Sequence, residues 1–400
     1  MIIVIEQSVD SKYCCLVYIM IYNPINRALF QLNPDETYLN CARMGPFLSS
    51  TIEIGHREIT RRSNPSDITS DEFFTLTDTT RALFNELING DDPDRVVIAP
   101  STSYIISSAA RACNPKRGSK ILISEDQFPS NYYPWRRVAT ENGAELHIVN
   151  RKSDEDYTQS FLEAIDQNTS VVAIEPLNWG DGLKVDIDLI GQKVRQVGAY
   201  YVIDGTQYIG AHPYNQLEIQ PDVLVASAYK WLLSPYGVAI AYIGERLDDK
   251  KPLEESWLNR MNSQDFQHLS NYEHNYRPKA RRYEVGESPD FIRIPMLNDA
   301  LRQIISWGPS YIQKEIALLI EQPNHELREL GCRIEDPENR FSHLFGVGLP
   351  DHISVEKMKQ CLAEKKISVS FRKDVIRVSP HLYNTHDEMS SLVDAFKKMS

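Results

Sequence analysis

The chain reads as an α/β protein: a large domain built on a mostly parallel sheet sandwiched between helices, followed by a small α+β domain. Three observations predict this. Seven short apolar runs (95–98, 120–124, 145–149, 170–174, 199–203, 222–226 and 238–243) alternate with longer polar–apolar segments, as buried strands joined by helical crossovers do. Two of those runs end in polar residues suited to chemistry: 199–203 (AYYVI) enters Asp204, and 222–226 (DVLVA) enters Ser227, Tyr229 and Lys230. Beyond residue 286 a long helical pattern (Ile294, Met296, Leu297, Leu301, Ile304, Ile305) gives way to alternating short strands and helices, the signature of a separate α+β unit.

Four hundred residues, 42% hydrophobic and 24% charged, are enough for one large domain and a smaller one. A net charge of −12 makes nucleic acid a poor partner. Cys14, Cys15, Cys41, Cys113, Cys332 and Cys361 are scattered without a CxxC pair. That spacing argues for a reducing, cytoplasmic setting, against a disulfide framework and against a structural metal site.

In chain order, residues 1–24 read as an N-terminal extension. Its apolar run 14–22 (CCLVYIMIY) is too short to span a bilayer, so no membrane role is expected, and a start at Met20 is an alternative. Residues 25–50 form an N-terminal segment with a short strand and a turn at Gly45-Pro46. Residues 52–88 read as helices interrupted near Asn64-Pro65. The run 95–98 then leads into Ser101, Thr102 and Ser103 and a helical pattern from residue 104. Strand, hydroxyl loop and helix start make an anion site, because free N–H groups and the positive dipole end face the loop. A plain N-cap by Ser101 or Ser103 is the simpler alternative. No GxGxxG or GxxxxGK[ST] is present, so nucleotide readings gain no support.

Ligands of open α/β sheets sit at the carboxyl ends of the strands, so Asp204 and Lys230 should project into one crevice. A carboxylate and an amine so placed are what pyridoxal 5′-phosphate (PLP) requires: a lysine for the Schiff base and an acid to keep the pyridine nitrogen protonated. Flanked by Tyr229 and Trp231 after an apolar run, Lys230 should be dry, and burial favours its neutral, nucleophilic form.

DGTQ at 204–207 and SAYK at 227–230 resemble the class V aminotransferase family, over roughly residues 35–395. The resemblance implies a fold-type I PLP-dependent transferase with a seven-stranded-type sheet, a homodimer, and an α-amino acid as substrate, with an α-keto acid as possible second substrate. It implies a large PLP-binding domain over 51–285 and a connecting helix with small domain over 286–400. It further implies Lys230 as the catalytic base, Asp204 on the pyridine nitrogen, and Gln207 as donor to the cofactor's phenolic oxygen. Thr102, Ser227 and Tyr229 fall at phosphate-contacting positions. Phe128, in residues 125–135 (EDQFPSNYYPW), falls where kynureninase-like members stack a ring on the cofactor; core packing is the alternative. Asn178, in the family place near the phenolic oxygen and substrate, competes with a turn-forming role. Ala42 marks backbone close to the substrate. Arg377, opening RVSPHLYNT, is implied to grip the substrate carboxylate, with Arg372 assisting. After Gly286, where many members carry Thr, stand Glu287 and Ser288; which one reaches a neighbouring subunit's phosphate site stays open.

One departure matters. Desulfurases carry a nucleophilic cysteine between the two arginine positions, but residues 371–377 (FRKDVIR) contain none. The expectation is therefore an aminotransferase, with a β-lyase or amino-acid epimerase as alternatives and a non-catalytic binding module as the competing class.

Overall fold

The computed structural model describes residues 24–152, 157–372 and 374–399; the expectations for residues 1–23 lie outside them. After a short strand β1 (Thr37–Tyr38), helices α1 (Ser49–Arg61) and α2 (Glu72–Leu87) are separated by a turn at Pro65–Asp67, where proline removes a helix donor. Then come β2 (Val96–Ala99), α3 (Thr102–Cys113), β3 (Lys120–Ser124), α4 (Tyr133–Asn142), β4 (Glu145–Val149), α5 (Tyr157–Ala164) and β5 (Thr169–Ile174). Next are α6 (Ile187–Val197), β6 (Tyr200–Asp204), α7 (Gln216–Ile219), β7 (Val223–Ser227) and β8 (Ala239–Ile243).

These strands form a seven-stranded sheet in the order β2-β8-β7-β6-β5-β3-β4. Only β8 runs against its neighbours β2 and β7; the other pairs are parallel. Alternation puts Val171, Ala173, Val202, Val223 and Val225 into one apolar layer. Val172, Ile174, Tyr201, Ile203, Leu224 and Ala226 enter the other. Both faces are buried, which is why these strands read as continuous apolar runs.

The long pattern after residue 291 resolves into two helices, α8 (Arg293–Trp307) and α9 (Pro309–Glu329). Gly308 ends the first in a left-handed conformation (φ 76°) and Pro309 starts the second, the usual division of labour between these residues. A three-stranded antiparallel sheet of β9 (Phe345–Gly348), β12 (Val375–Val378) and β11 (Ser370–Arg372) follows, with α10 (Val355–Glu364) and α11 (His386–Lys397). The two-residue strand β10 (Ile367–Ser368) pairs in parallel with β1, so the N-terminal segment is stitched to the C-terminal unit. Helix α11 opens with a Thr385–Glu388 capping box.

Candidate active site

The carboxyl ends of β6 and β7 and the loop after β2 surround a cavity of about 210 Å³. Lys230 lies in the turn that follows β7 and is 7% exposed. Its Nζ sits 5.5 Å from the centroid of Phe128 and 5.6 Å from that of Tyr229. Burial pulls its ammonium down to about 8; Asp204 opposes that, while Arg377 and Arg372 add to it. The turn is backed by the 40–45 segment: Gly45 N donates to Tyr229 O at 2.9 Å. A Cβ at Gly45 would stand 2.1 Å from Lys230 O, so only glycine allows this approach.

Asp204 is 7% exposed, and its Oδ1 accepts from Thr206 N at 3.0 Å. Burial raises its carboxyl above the ordinary value, against the pull of Thr206 and Lys230. Gln207 donates from Nε2 to Ala42 O at 3.0 Å and accepts at Oε1 from Trp231 at 2.8 Å. One Nε2 hydrogen is left over, and Gln207 lines the cavity.

At the start of α3, Thr102 Oγ1 lies 2.6 Å from Ser227 Oγ and 3.4 Å from Thr206 Oγ1. Ser101 Oγ caps the helix through Tyr104 N at 3.2 Å and meets Ser103 Oγ at 2.9 Å. Capping and cavity lining therefore coexist at Ser101. Hydroxyls from three strand ends and a 12-residue helix N-terminus thus converge, a cradle for a dianionic phosphate.

Phe128 is 37% exposed and meets Trp179 edge-on at 5.4 Å. Asn178 is buried and does not line the cavity; its neighbours Leu177 and Trp179 do. Its Oδ1 accepts from Gly180 N and Asp181 N at 2.8 and 3.3 Å. Its Nδ2 has no partner among the described residues. Arg377, 1% exposed, donates to Trp179 O at 2.8 Å and Ser370 Oγ at 3.4 Å. Arg372 lies over the Trp179 ring, 5.2 Å from its centroid. Burial, then Arg372, pulls Arg377 down to about 9. Both arginines and Ala42 stand behind the cavity wall rather than in it. Ser288 is not at this chain's cavity either; its hydroxyl donates to Glu284 at 2.6 Å.

Several cavity residues carry no role in the sequence reading, among them Thr206, Glu175, Gln127 and Tyr236. Glu175 is 5% exposed, accepts from Ser124 at 2.8 Å and from Gln127, and is pushed by burial up to about 7. A polar residue just after an apolar strand, the signal used for Asp204, would have found it. Cys41 was missed as a spatial neighbour: its Sγ lies 3.9 Å from Lys230 O. It is wholly buried, and burial pushes its thiol far above the ordinary value, which disfavours the thiolate. Among the described residues no cluster suited to a metal ion occurs, and no helix is long and apolar enough to cross a membrane.

The spare Gln207 hydrogen, the hydroxyl cradle, the buried acid and the dry amine fit polar groups of PLP, whereas the unpaired Asn178 Nδ2 lies outside the cavity lining. Comparison with known proteins points the same way. The chain is 26% identical over 337 residues to an uncharacterized aminotransferase, YcbU, of Bacillus subtilis, covering 81% of this chain and 84% of the relative. It is 24% identical to isopenicillin N epimerase of Streptomyces clavuligerus, covering 94% and 97%. Its fold is similar to that of a cysteine desulfurase from Thermococcus onnurineus (TM-score 0.81, 19% identity, 93% and 96% covered). It is also similar to a C-DES lysine variant with glycine linked to its PLP cofactor (TM-score 0.85, 17% identity, 94% and 99% covered). The Aminotransferase class-V profile matches residues 55–392, and the chain therefore belongs to the class V aminotransferase family.

Proposed function

We propose that this enzyme uses PLP to act on an α-amino acid, with aminotransfer as its reaction. The observation that carries this reading is a buried Lys230 facing Phe128 with Asp204 in the same cavity. We read residues 51–285 as the cofactor-binding unit and 286–400 as the small domain. Ser101, Thr102, Ser103, Thr206 and Ser227 would hold the phosphate, and Asp204 a proton on the ring nitrogen. Phe128 would cover one ring face, and Asn178 and Gln207 would donate to the ring oxygen. When bound, the cofactor supplies an electron sink that acidifies the Cα–H of an attached amino acid.

The chain's own groups do the rest. Lys230 would hold the cofactor through its amine, and as a free amine beside a bound substrate it would remove or return the proton on Cα. Its lowered affinity for protons keeps a working fraction neutral near pH 7 to 8. Arg377 binds the α-carboxylate, with Arg372 beside it across Trp179. Phe128 and Trp179 close the cavity's apolar side and limit water. Ser288 or Glu287 reaching a partner's phosphate belongs to a homodimer in the cytoplasm. Exposed Tyr272 (84%), Tyr236 (69%) and Met261 (56%) support such a contact surface.

A second reading, amino-acid epimerisation, draws on the near full-length similarity to isopenicillin N epimerase. Both need only Lys230 as base. Visible spectra with an amino-acid panel, with and without an α-keto acid, separate them. Aminotransfer predicts conversion to the pyridoxamine form, reversed by keto acid; change in optical rotation without that cycle supports epimerisation. No spectral response to any amino acid would end both.

A further inference from the structure

Among the described residues four arginines are under 9% exposed: Arg81 (1%), Arg95 (6%), Arg340 (7%) and Arg377 (1%). Arg81 is paired with Glu284 and Asp78, and Arg95 with Asp248. Among the described residues Arg377 and Arg340 have no carboxylate within 4.0 Å; Asp336 and Glu335 act on Arg340 only from farther off, so neither buried cation has a contacting counter-charge, an arrangement that favours an incoming anion. A substrate carboxylate answers for Arg377. Nothing in the active site answers for Arg340.

Arg340 lines a separate cavity of about 410 Å³ between α9 and the 337–342 loop. Its Nε donates to Glu335 O at 2.9 Å and its Nη1 to Phe341 O at 3.3 Å. The guanidinium carbon lies 5.1 Å from the centroid of Phe345; Nη2 has no acceptor among the described residues. Asn324, on the same wall, is 2% exposed, and both its Oδ1 and Nδ2 lack partners among the described residues. An amide buried with neither end satisfied is costly, and here it borders an open cavity. Lys314 adds a second positive charge at the rim; Glu321 is the acid there, and Arg328 is turned toward Asp336 at 3.4 Å. Leu318 and Ile320 give an apolar wall.

The loop is held in place from both sides. Lys184 N donates to Asn339 O at 2.9 Å, Leu183 bridges to Arg340, and Ser342 N donates to Gln313 Oε1 at 3.1 Å. The loop backbone that carries Arg340 is therefore fixed before any ligand arrives, which lowers the entropy cost of binding.

We propose that this cavity is a second ligand site, separate from the active site, for a small carboxylate carrying an apolar chain. Its carboxylate meets Arg340 and the Asn324 amide, and its chain lies on Leu318 and Ile320. A forked guanidinium beside a planar amide suits a carboxylate.

The test is calorimetric titration of the full-length enzyme with hexanoate, with hexanol and inorganic phosphate as controls. The expected result is saturable hexanoate binding, little response to hexanol, and at least tenfold weaker binding by phosphate. Arg340→Met and Asn324→Leu should each weaken hexanoate at least tenfold, whereas Arg377→Gln should leave it unchanged. Asn324→Leu keeps the test valid should Arg340→Met fold poorly, because replacing a buried amide without partners by an apolar group of similar size should cost little stability. Absent hexanoate binding, binding untouched by both cavity variants, or binding abolished by Arg377→Gln would each overturn the proposal. The last result would place the ligand in the active site, and none of them bears on whether Lys230 carries the cofactor.

Discussion

The Trp231 indole donates to Gln207 Oε1 at 2.8 Å, and this bond decides which way the Gln207 amide faces. With Oε1 held by the indole, Nε2 is turned toward Ala42 O and the cavity. His343 grips the same residue from behind, donating from Nε2 to Gln207 O at 2.7 Å, while Gln313 donates to its Nδ1 at 2.7 Å. The residue immediately after the lysine thus orients a cavity-facing donor.

Trp231→Phe keeps most of the volume and removes the N–H. A buried acceptor left unpaired costs about 1–3 kcal/mol. The expected outcome is a lower melting temperature together with weaker PLP retention on dialysis. A melting temperature lowered without any change in retention would limit Trp231 to packing.

Gly45→Ala places a methyl 2.1 Å from Lys230 O and 2.8 Å from Leu233 Cδ2. Backbone cannot yield as a side-chain end does, so overpacking of about 1–3 kcal/mol is expected. The variant should show a depressed melting temperature and a weakened visible band. A variant that melts and absorbs like the parent contradicts the close approach.

Glu175 gives a pH signature. Its folded-state proton affinity is raised, from 4.5 to about 7. Between those values the folded state binds more protons than the unfolded one, so Glu175 makes stability fall as pH rises through that window. The full effect is on the order of 3 kcal/mol. Urea melts of cofactor-free Glu175→Gln across pH 4.5 to 7 should lack this decline. Curves parallel to those of the parent would place the titration elsewhere.

Arg377→Gln removes a charged donor that is almost wholly buried. Charge-assisted hydrogen bonds are worth about 1.5–3 kcal/mol, so KM for amino acids should rise by roughly 10- to 150-fold. Amines without a carboxylate should be affected far less. An equal effect on both would move the carboxylate site.

Much of the site could be read from the chain because its parts lie at strand ends. Asp204 and Lys230 meet because β6 and β7 are parallel neighbours with Asp204 opposite Val225, so the carboxyl ends of two apolar runs reach one crevice. Thr102 meets Ser227 across 125 residues; the hydroxyl loop had signalled an anion site there, though not this contact. What stayed hidden depends on side-chain direction. Nothing local says that Trp231 reaches back to Gln207, or that Cys41 packs on the lysine backbone. Arg377 and Arg372 straddle Trp179 only because the β11–β12 hairpin turns both toward it. Glu175 was open to the same reading as Asp204, since it too directly follows an apolar strand, β5.

Lys230 is the residue expected to hold PLP. Borohydride reduction of the PLP-loaded enzyme followed by peptide mass spectrometry tests it directly. The expected result is one pyridoxyl-modified peptide, with the label on Lys230 and absent from Lys230→Ala. A label on another lysine, or none after loading with PLP, would contradict it.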